Sequence, residues 1–294
     1  MKREVVVAFN QILVPLNGSN RDEIALGSAF AIAKYSNSHV MAQYVRPDMR
    51  YVTPVVGFSM LPDLIADISR STKQIADETS RTAHRNFTTA AIEAGVSIVD
   101  RPKDRREVTA SFHEAEGYVF ECVARAAKFA DLLVYGPLGE PEDFQTSAGF
   151  TEALMNARRP VLITPRKVKA AFRKVVIGWD SGHATARAVC AAAPLLAAAD
   201  SVEIVAVRRS PFSQLEEFND LRDYLAVSGI HAAKRIIEKG GQSVGEELID
   251  AATSSGADLL VMGGYGHSPL RESLFGGTTA YAIDEPLLPI FLSH

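Results

Sequence analysis

The chain has 294 residues, about twice the roughly 150 residues at which a second domain is expected. Hydrophobic residues make up 47% and charged residues 22%, which excludes long disorder, collagen and a small scaffold that depends on disulfides. The net charge is -4, with 31 Lys and Arg against 35 Asp and Glu. This balance argues against a protein-wide attraction to nucleic acid or to an anionic membrane.

Two cysteines, Cys122 and Cys190, lie far apart in the sequence, which predicts neither a disulfide framework nor a cysteine-rich metal site. The stretch 1–19 lacks the small-residue cleavage pattern of a secretory signal. The most apolar helical stretch, 184–199, contains an arginine and a proline and is too short to cross a bilayer. We therefore expect a protein of a reducing compartment, most simply the cytoplasm.

Strand and helix signals alternate in the first half of the chain. Apolar runs predict strands near 11–16, 38–45, 96–100, 131–135 and 160–164. An insertion near 46–70 combines prolines with apolar residues, and we expect it to pack over its own sheet, with a lid or a contact surface as alternatives. The charged loop 101–107 is expected to be a solvated turn rather than a nucleic-acid contact.

The second half follows the same order. Continuous apolar runs predict buried strands at 174–179 and 202–207, and further strands are predicted at 230–237, 258–262 and 288–292. Helices are expected over 183–199, in a mixed stretch that ends at 228, over 243–256 and over 278–284. Ser243 and Glu246 have the spacing of a capping box at the start of the third of these helices.

The two halves are similar to each other in sequence. The segment DLLVYGPLG at 131–139 is identical to DLLVMGGYG at 258–266 in six of nine positions. QILVPLNGS at 11–19 resembles KVVIGWDSG at 174–182, and both halves end in a short apolar strand introduced by a proline. Strands separated by helices predict parallel sheets with right-handed crossovers. The predicted fold class is α/β, with two tandem doubly wound, Rossmann-like, five-stranded parallel sheets that carry helices on both faces, in domains 1–166 and 173–294.

In such sheets ligands bind at the carboxyl ends of the strands, where the strand order reverses. After the fourth strand of the second half comes a glycine-rich stretch, 263–279, that leads into the final helix. Glycine lets backbone N–H groups approach an anion closely, and a helix N-terminus favours phosphate. A P-loop and a dinucleotide fingerprint are both excluded, because the required lysine and the third glycine are missing.

The spacing G-x2-G-x9-G within this repeat resembles the signature of the universal stress protein family, and the chain is similar to a tandem member over nearly its whole length. In that family ATP lies across the strand ends, with its phosphates in the glycine loop. The resemblance implies a set of nucleotide-binding positions in the second half: Gly178, Trp179, Asp180, Ser181, Val207, Met262, Gly263, Gly266, His267, Arg271, Gly276, Gly277, Thr278 and Thr279.

The resemblance also implies individual roles. Asp180 matches the aspartate that contacts adenosine, Val207 the position whose backbone reads adenine, and 276–278 the phosphate cradle. The family usually has Ser or Thr where Gly277 stands, so that the hydroxyl either comes from Thr278 or is lost. From the residues alone, Asp180 is equally well a helix cap, and Trp179 equally well a core residue. Val207 and Met262 are more often core residues, and His267 and Arg271 more often solvated.

The first half keeps the glycine spacing but loses the chemistry around it. The matching positions form a predicted degenerate site: Leu16, Asn17, Val45, Gly136, Gly139 and Gly149. Asn17 replaces the aspartate, Phe150 takes the hydroxyl position, and three carboxylates at 140–143 would repel a triphosphate. We therefore predict that ATP prefers the second half, and that the first serves as an interface or binds another ligand.

The sequence contains no recognisable catalytic set and no metal-ligand spacing, so ATP hydrolysis, with Mg2+ on the phosphates, is expected to be slow at most. The favoured function is that of a stress-response or regulatory protein that binds ATP. A scaffold that binds no nucleotide and an enzyme of adenylyl transfer remain as alternatives. Apolar strands at 161–164 and 290–293 predict an internal pseudo-dimer through the last strands, and dimerisation through the insertion is left open.

Overall fold

The computed structural model describes residues 9–47, 62–102, 107–138, 144–165, 172–208, 216–264 and 286–294. The strands in these ranges are β1 (Gln11–Leu16), β2 (His39–Arg46), β3 (Ser97–Ile98), β4 (Thr109–Glu116), β5 (Leu132–Tyr135), β6 (Val161–Ile163), β7 (Lys174–Gly178), β8 (Ser201–Arg208), β9 (Ala232–Glu238), β10 (Leu259–Gly263) and β11 (Ile290–Ser293). The helices are α1 (Arg21–Ser36), α2 (Pro62–Ala94), α3 (Val119–Ala127), α4 (Phe144–Thr151), a π-helical turn (Glu152–Asn156), α5 (His183–Ala191), α6 (Ala193–Ala198), α7 (Glu216–Val227) and α8 (Val244–Ser254).

All the described strands join one eleven-stranded sheet in the order β3-β4-β2-β1-β5-β6-β11-β10-β7-β8-β9. Neighbouring strands are parallel except β6 and β11, which pair antiparallel with Leu162 opposite Phe291. The predicted pairing of 161–164 with 290–293 is therefore present. The α/β class with doubly wound parallel strands is confirmed, with the difference that the two expected sheets meet edge to edge as one.

Side chains alternate between the two faces of this sheet, and each face has its own core. Ile12 and Val14 of β1 lie in one buried cluster with Val175 and Ile177 of β7. Leu13 and its counterpart Val176 lie in the cluster on the opposite face. Since each cluster contains strand residues from both halves, the apolar core runs the length of the sheet.

The third strand of the first half differs from the prediction. Of the stretch 96–100 only two residues form a strand, and the main third strand is β4, which pairs with β2 along eight residues. The sequence TASFHEAE was not predicted as a strand because polar residues dominate its second half, and there its side chains alternate between half-buried and exposed. The loop expected at 101–107 thus connects two strands, and its residues 103–106 lie outside the described ranges.

The insertion predicted near 46–70 is shorter than expected, because α2 begins at Pro62 and continues for 33 residues. Residues 48–61, which hold most of its apolar side chains, lie outside the described ranges. The helix predicted over 183–199 is divided into α5 and α6 at Ala192, just before Pro194. At the start of α8 the capping box is confirmed, with Ser243 and Glu246 bonding each other's backbone N–H groups. The helix expected over 278–284 lies outside the described ranges.

Helix α2 is fixed to the sheet by a charged cluster. Arg46 of β2 donates from Nε to Glu114 of β4 at 2.7 Å and also pairs with Asp77 of α2. Ser80 of the same helix donates to the other oxygen of Glu114 at 2.5 Å. Burial alone would raise the pKa of the Glu114 carboxyl, but the hydrogen bonds from Ser80 and Arg46 lower it below its ordinary value. The cluster therefore joins two strands and one helix.

Both cysteines are free thiols, Cys122 buried and Cys190 exposed. Among the described residues, no helix has both the length and the apolar character needed to span a membrane. The same part of the chain holds no group of three or more His, Cys, Asp or Glu side chains arranged to bind a metal.

At the amino edge of β2, His39 is 7% exposed and lies between two hydroxyls. Its Nδ1 is 2.9 Å from Thr109 Oγ1, and its Nε2 is 2.9 Å from Ser111 Oγ. Burial, and to a lesser degree the nearby His113, lower the pKa of His39 from 6.5 to about 4. The imidazole is therefore neutral in the folded protein at neutral pH.

This environment predicts a pH dependence of folding. Between pH 6.5 and about 4 the unfolded chain binds a proton at His39 that the folded chain does not. The free energy of unfolding should therefore fall as the pH drops through this window, by about 3 kcal/mol at most. Urea unfolding of the His39→Gln variant at a series of pH values should show a smaller slope there. His231→Gln, at an exposed position, should keep the wild-type slope, and equal slopes in all three proteins would contradict the assignment.

Candidate nucleotide-binding site

The carboxyl ends of β10, β7 and β8 meet at one edge of the sheet in the second half. Met262 of β10 lies beside Gly178 of β7, and Gly178 lies beside Val205 of β8. The strand order reverses between β7 and β10, which is the place where open parallel sheets bind ligands. The register thus brings Trp179, Val207 and Gly263 to the same edge, as the sequence predicts.

The loop after β7 is organised by Asp180. Its Oδ1 accepts hydrogen bonds from the Gly182 backbone N–H at 2.8 Å and from the Thr185 hydroxyl at 2.5 Å. Ser181 between them has a φ of 62°, a left-handed conformation that a carboxylate-bridged turn supports. Asp180 therefore has the local structural role that the residues alone left open, as a cap for the turn that leads into α5. Its carboxylate is exposed at the sheet edge.

Two predicted contact residues pack into the core. Met262 is 4% exposed and belongs to one buried cluster, and half-buried Val207 packs against the same cluster. Trp179 packs against the cluster on the other face, and within the described part of the chain its buried indole N–H has no hydrogen-bond partner. Met262 is therefore a core residue, and Val207 and Trp179 are half-buried residues that pack against the core.

Gly263 is required by packing. A Cβ built on it would lie 2.6 Å from both N and Oγ1 of Thr185, at the start of α5. Gly136 at the matching position of the first half is also closely packed, since a Cβ there would lie 3.0 Å from the carbonyl oxygen of Arg21 in α1. The first glycine of both motifs therefore lets a strand end lie against the first turn of a helix.

Most of the predicted phosphate loop lies outside the described residues. This applies to Gly266, His267, Arg271, Gly276, Gly277, Thr278 and Thr279 in the second half, and to Gly139 in the first. The last described residue before this loop is Gly264, whose N–H donates to the Ser293 carbonyl of β11 at 2.8 Å. His294 Nδ1 is 3.0 Å from the Gly264 carbonyl oxygen. The start of the loop is thus attached to the last strand.

At the equivalent edge of the first half there is a cavity of about 290 Å³. Its walls come from the ends of β1, β2 and β5 and from helices α2, α3 and α4. Four of the predicted degenerate-site residues line it: Leu16, Asn17, Val45 and Gly149. The remaining described one, Gly136, is not among its lining residues and has the packing role given above.

The loop after β1 has its own carboxylate, Asp22, which is 3% exposed. Its two oxygens accept the backbone N–H groups of Asn17 at 3.1 Å and Gly18 at 2.9 Å. Gly18 has a φ of 80° and lies so close to Thr79 of α2 that a Cβ would be 2.6 Å from the Thr79 methyl group. The Asn17 side-chain amide reaches Thr146 of α4 at 3.3 Å. Loop amides that could otherwise hold an anion are therefore bonded within the protein.

The third glycine of the first motif is in a different conformation from a phosphate loop. Gly149 lies within α4, which begins five residues earlier, and packs toward Val119, Val123 and Tyr135. Phe150, at the position of the family hydroxyl, is buried edge-on against Tyr135 at 5.8 Å between ring centres. The first half therefore keeps the glycine spacing in its sequence. In the structure, however, Gly149 lies inside a helix and Phe150 lies in the apolar core.

Several residues at these edges were not predicted from the sequence. Asp22 and Thr185 hold the loops after β1 and β7, and Thr72, Ile75, Ala76 and Thr79 of α2 form one wall of the cavity. For Asp22 a signal was present, because an acid in the first turn of a helix after Asn-Gly-Ser is a frequent loop cap. The α2 wall had no such signal, since the helix reaches the cavity only through tertiary packing.

Comparison with known proteins finds similarity to universal stress proteins. Residues 171–290 match the sequence model of the Universal stress protein family. The chain is 24% identical over 188 residues to a universal stress protein of Synechocystis sp., which covers 59% of this chain and 61% of that protein. The chain thus spans less than two thirds of this curated relative.

Among solved structures, a universal stress protein from Archaeoglobus fulgidus superposes with a TM-score of 0.68 at 15% identity, covering 97% of this chain and 96% of that chain. A protein from Pseudomonas aeruginosa described as a putative universal stress protein gives a TM-score of 0.57 at 16% identity, over 97% and 93% of the two chains. At these identities the similarity establishes the fold.

The packing of Gly263 predicts a large effect of adding a single methyl group. Gly263→Ala should lower the free energy of unfolding by about 1–3 kcal/mol, because β10 and α5 must move apart. Gly27→Ala is the matched control, since a Cβ at Gly27 in α1 has no neighbour within 4 Å and should stabilise the protein by about 0.5–1 kcal/mol. Chemical unfolding measures both changes, and a Gly263→Ala protein as stable as wild type would show that the contact is wrong.

Proposed function

We propose that this chain, whose residues 171–290 belong to the universal stress protein family, is a stress-response protein that binds an adenine nucleotide, ATP, mainly in its second half. The observation that carries the proposal is the register at the reversal of strand order. It places Met262 beside Gly178, so that the glycine-rich stretch after β10 starts next to the Asp180 loop after β7. Nucleotides bind at such an edge where strand ends meet and a glycine-rich loop leads into a helix N-terminus, which offers backbone N–H groups to the phosphates.

The structure of the first half supports a preference for the second. At the first edge the loop amides bond Asp22, and Gly149 lies inside a helix, so neither can cradle phosphate. Three acidic residues at 140–143 precede that helix in the sequence. The stretch 265–279 of the second half has Glu272 as its one acid, together with His267 and Arg271. A polyanion should therefore bind more tightly at the second edge.

In this proposal the roles follow the matched positions. Gly266, Gly276, Gly277 and Thr278 hold the phosphates through backbone N–H groups and a hydroxyl, with Mg2+ neutralising part of their charge. Asp180 faces the ribose from its turn, and the backbone at Val207 faces the adenine. Domains 1–166 and 173–294 act as an internal pseudo-dimer whose shared edge is the antiparallel pair β6 and β11.

The repeat offers a matched pair of variants for the test. Gly276→Val should weaken ATP binding at least about tenfold, since a branched side chain blocks close approach of the phosphates. Gly149→Val, 127 residues earlier at the same repeat position, should leave ATP affinity within about twofold. Calorimetric titration of the full-length proteins measures both, with circular dichroism as the check of folding.

Mass spectrometry of small molecules released from the heat-denatured wild-type protein provides a second readout. An adenine nucleotide should be released by the wild type and by Gly149→Val, and lost from Gly276→Val. Absence of binding at millimolar ATP would favour the scaffold alternative. A larger loss with Gly149→Val than with Gly276→Val would assign the nucleotide to the first half and contradict the proposal.

A further inference from the structure

The cavity of about 290 Å³ in the first half is lined mainly by apolar side chains, amides and hydroxyls. Sixteen of the described residues line it, and none of these is Asp, Glu, Lys or Arg. From this lining we propose that the cavity is a separate binding site for an uncharged, mainly apolar compound of one or two rings. The site is independent of the nucleotide proposed for the second half.

Apolar side chains from four elements form most of the wall. Leu16 ends β1, Val45 lies near the end of β2, and Val119 and Val123 come from α3. Ala76 of α2 closes the opposite side, and the absence of a side chain at Gly149 leaves room beside the two valines. Such a wall gains free energy by removing apolar ligand surface from water, and it has no cation to pair with a carboxylate or phosphate.

Charged ligands of either sign are disfavoured at this edge. The buried Asp22 carboxylate already accepts the N–H groups of Asn17 and Gly18, so an anion would meet a like charge instead of these donors. The first turn of α4 also lines the cavity through Gln145 and Thr146, and the sequence just before this helix has acidic residues at 140, 142 and 143. A cation would find no acidic side chain among the described lining residues.

Polar groups of the lining are confined to amides and hydroxyls. Asn17 and Thr146 contact each other at 3.3 Å at one end, where a ligand hydroxyl or carbonyl could be hydrogen-bonded. The volume is at the lower limit of small-molecule sites, which corresponds to one or two rings. Ile75 of α2 lines the cavity although it is 64% exposed, so the opening is apolar as well.

A pair of probes that differ mainly in charge tests the proposal. Calorimetric titration of the full-length protein at neutral pH should show binding of 2-naphthol, which is uncharged. Binding of 2-naphthoate, which has the same rings and a carboxylate, should be at least about tenfold weaker. Excess ATP should not displace 2-naphthol, and Gly276→Val should bind it as the wild type does. The ATP competition and the Gly276→Val variant together separate failure of this site from failure of the nucleotide site.

Two variants fill the cavity from opposite walls. Gly149→Leu and Ala76→Phe should each reduce 2-naphthol affinity at least about tenfold. Ile92→Phe is the control on the same helix, at a position that is 70% exposed and is not among the lining residues, and it should bind like the wild type. Either filling variant that retains the wild-type circular dichroism spectrum is sufficient for the test. Tighter binding of 2-naphthoate, displacement by ATP, no binding of 2-naphthol, or unchanged affinity in a folded filled variant would overturn the proposal.

Discussion

The antiparallel pairing of β6 with β11 is the interaction on which the rest of the structure depends. Each half alone would expose the backbone groups of its last strand, and unpaired edges recruit other chains. Pairing Leu162 with Phe291 satisfies both edges within one molecule. The seam also anchors the second glycine motif, since Gly264 bonds Ser293 and lies against Leu154 of the first half. The position of the candidate nucleotide site is therefore set partly by the opposite half of the chain.

The two glycine motifs show that a shared sequence pattern can have different physical causes. Gly136 and Gly263 both let a strand end lie close to the start of a helix, a packing demand that the two halves share. Gly149 lies inside α4, and its small size leaves room in the cavity. Its sequence counterpart, Gly276, precedes a predicted helix. The first glycine thus has the same packing role in both halves. The third glycine has a different setting in the first half, where it lies inside a helix.

How much the sequence predicts depends on how local the determining interactions are. The buried parallel strands and the capping box at Ser243 were predictable, because continuous apolar runs and a four-residue motif contain their own signal. The strand β4 was missed, since its later residues alternate between half-buried and exposed positions and are mostly polar. The cavity could not be predicted, because Ala76 and Thr79 meet Leu16 and Val123 only after α2 has packed on the sheet. The family resemblance supplied the strand-end site, but Asp180's bonds to Gly182 and Thr185 required the structure.

The two halves share a strand arrangement but differ in where an acidic side chain lies relative to the loop after the first strand. In the first half a buried aspartate, Asp22, bonds the loop amides from within α1. In the second half the aspartate is moved into the loop itself as Asp180, where it caps its own turn and remains exposed at the edge. A buried carboxylate beneath the first edge disfavours anions, because a negative charge shielded from water repels an anion bound near it. An exposed carboxylate at the second edge is screened by water and can accept ligand hydroxyls. The position of one acid in this loop therefore distinguishes the two edges, in line with the different ligands proposed for them.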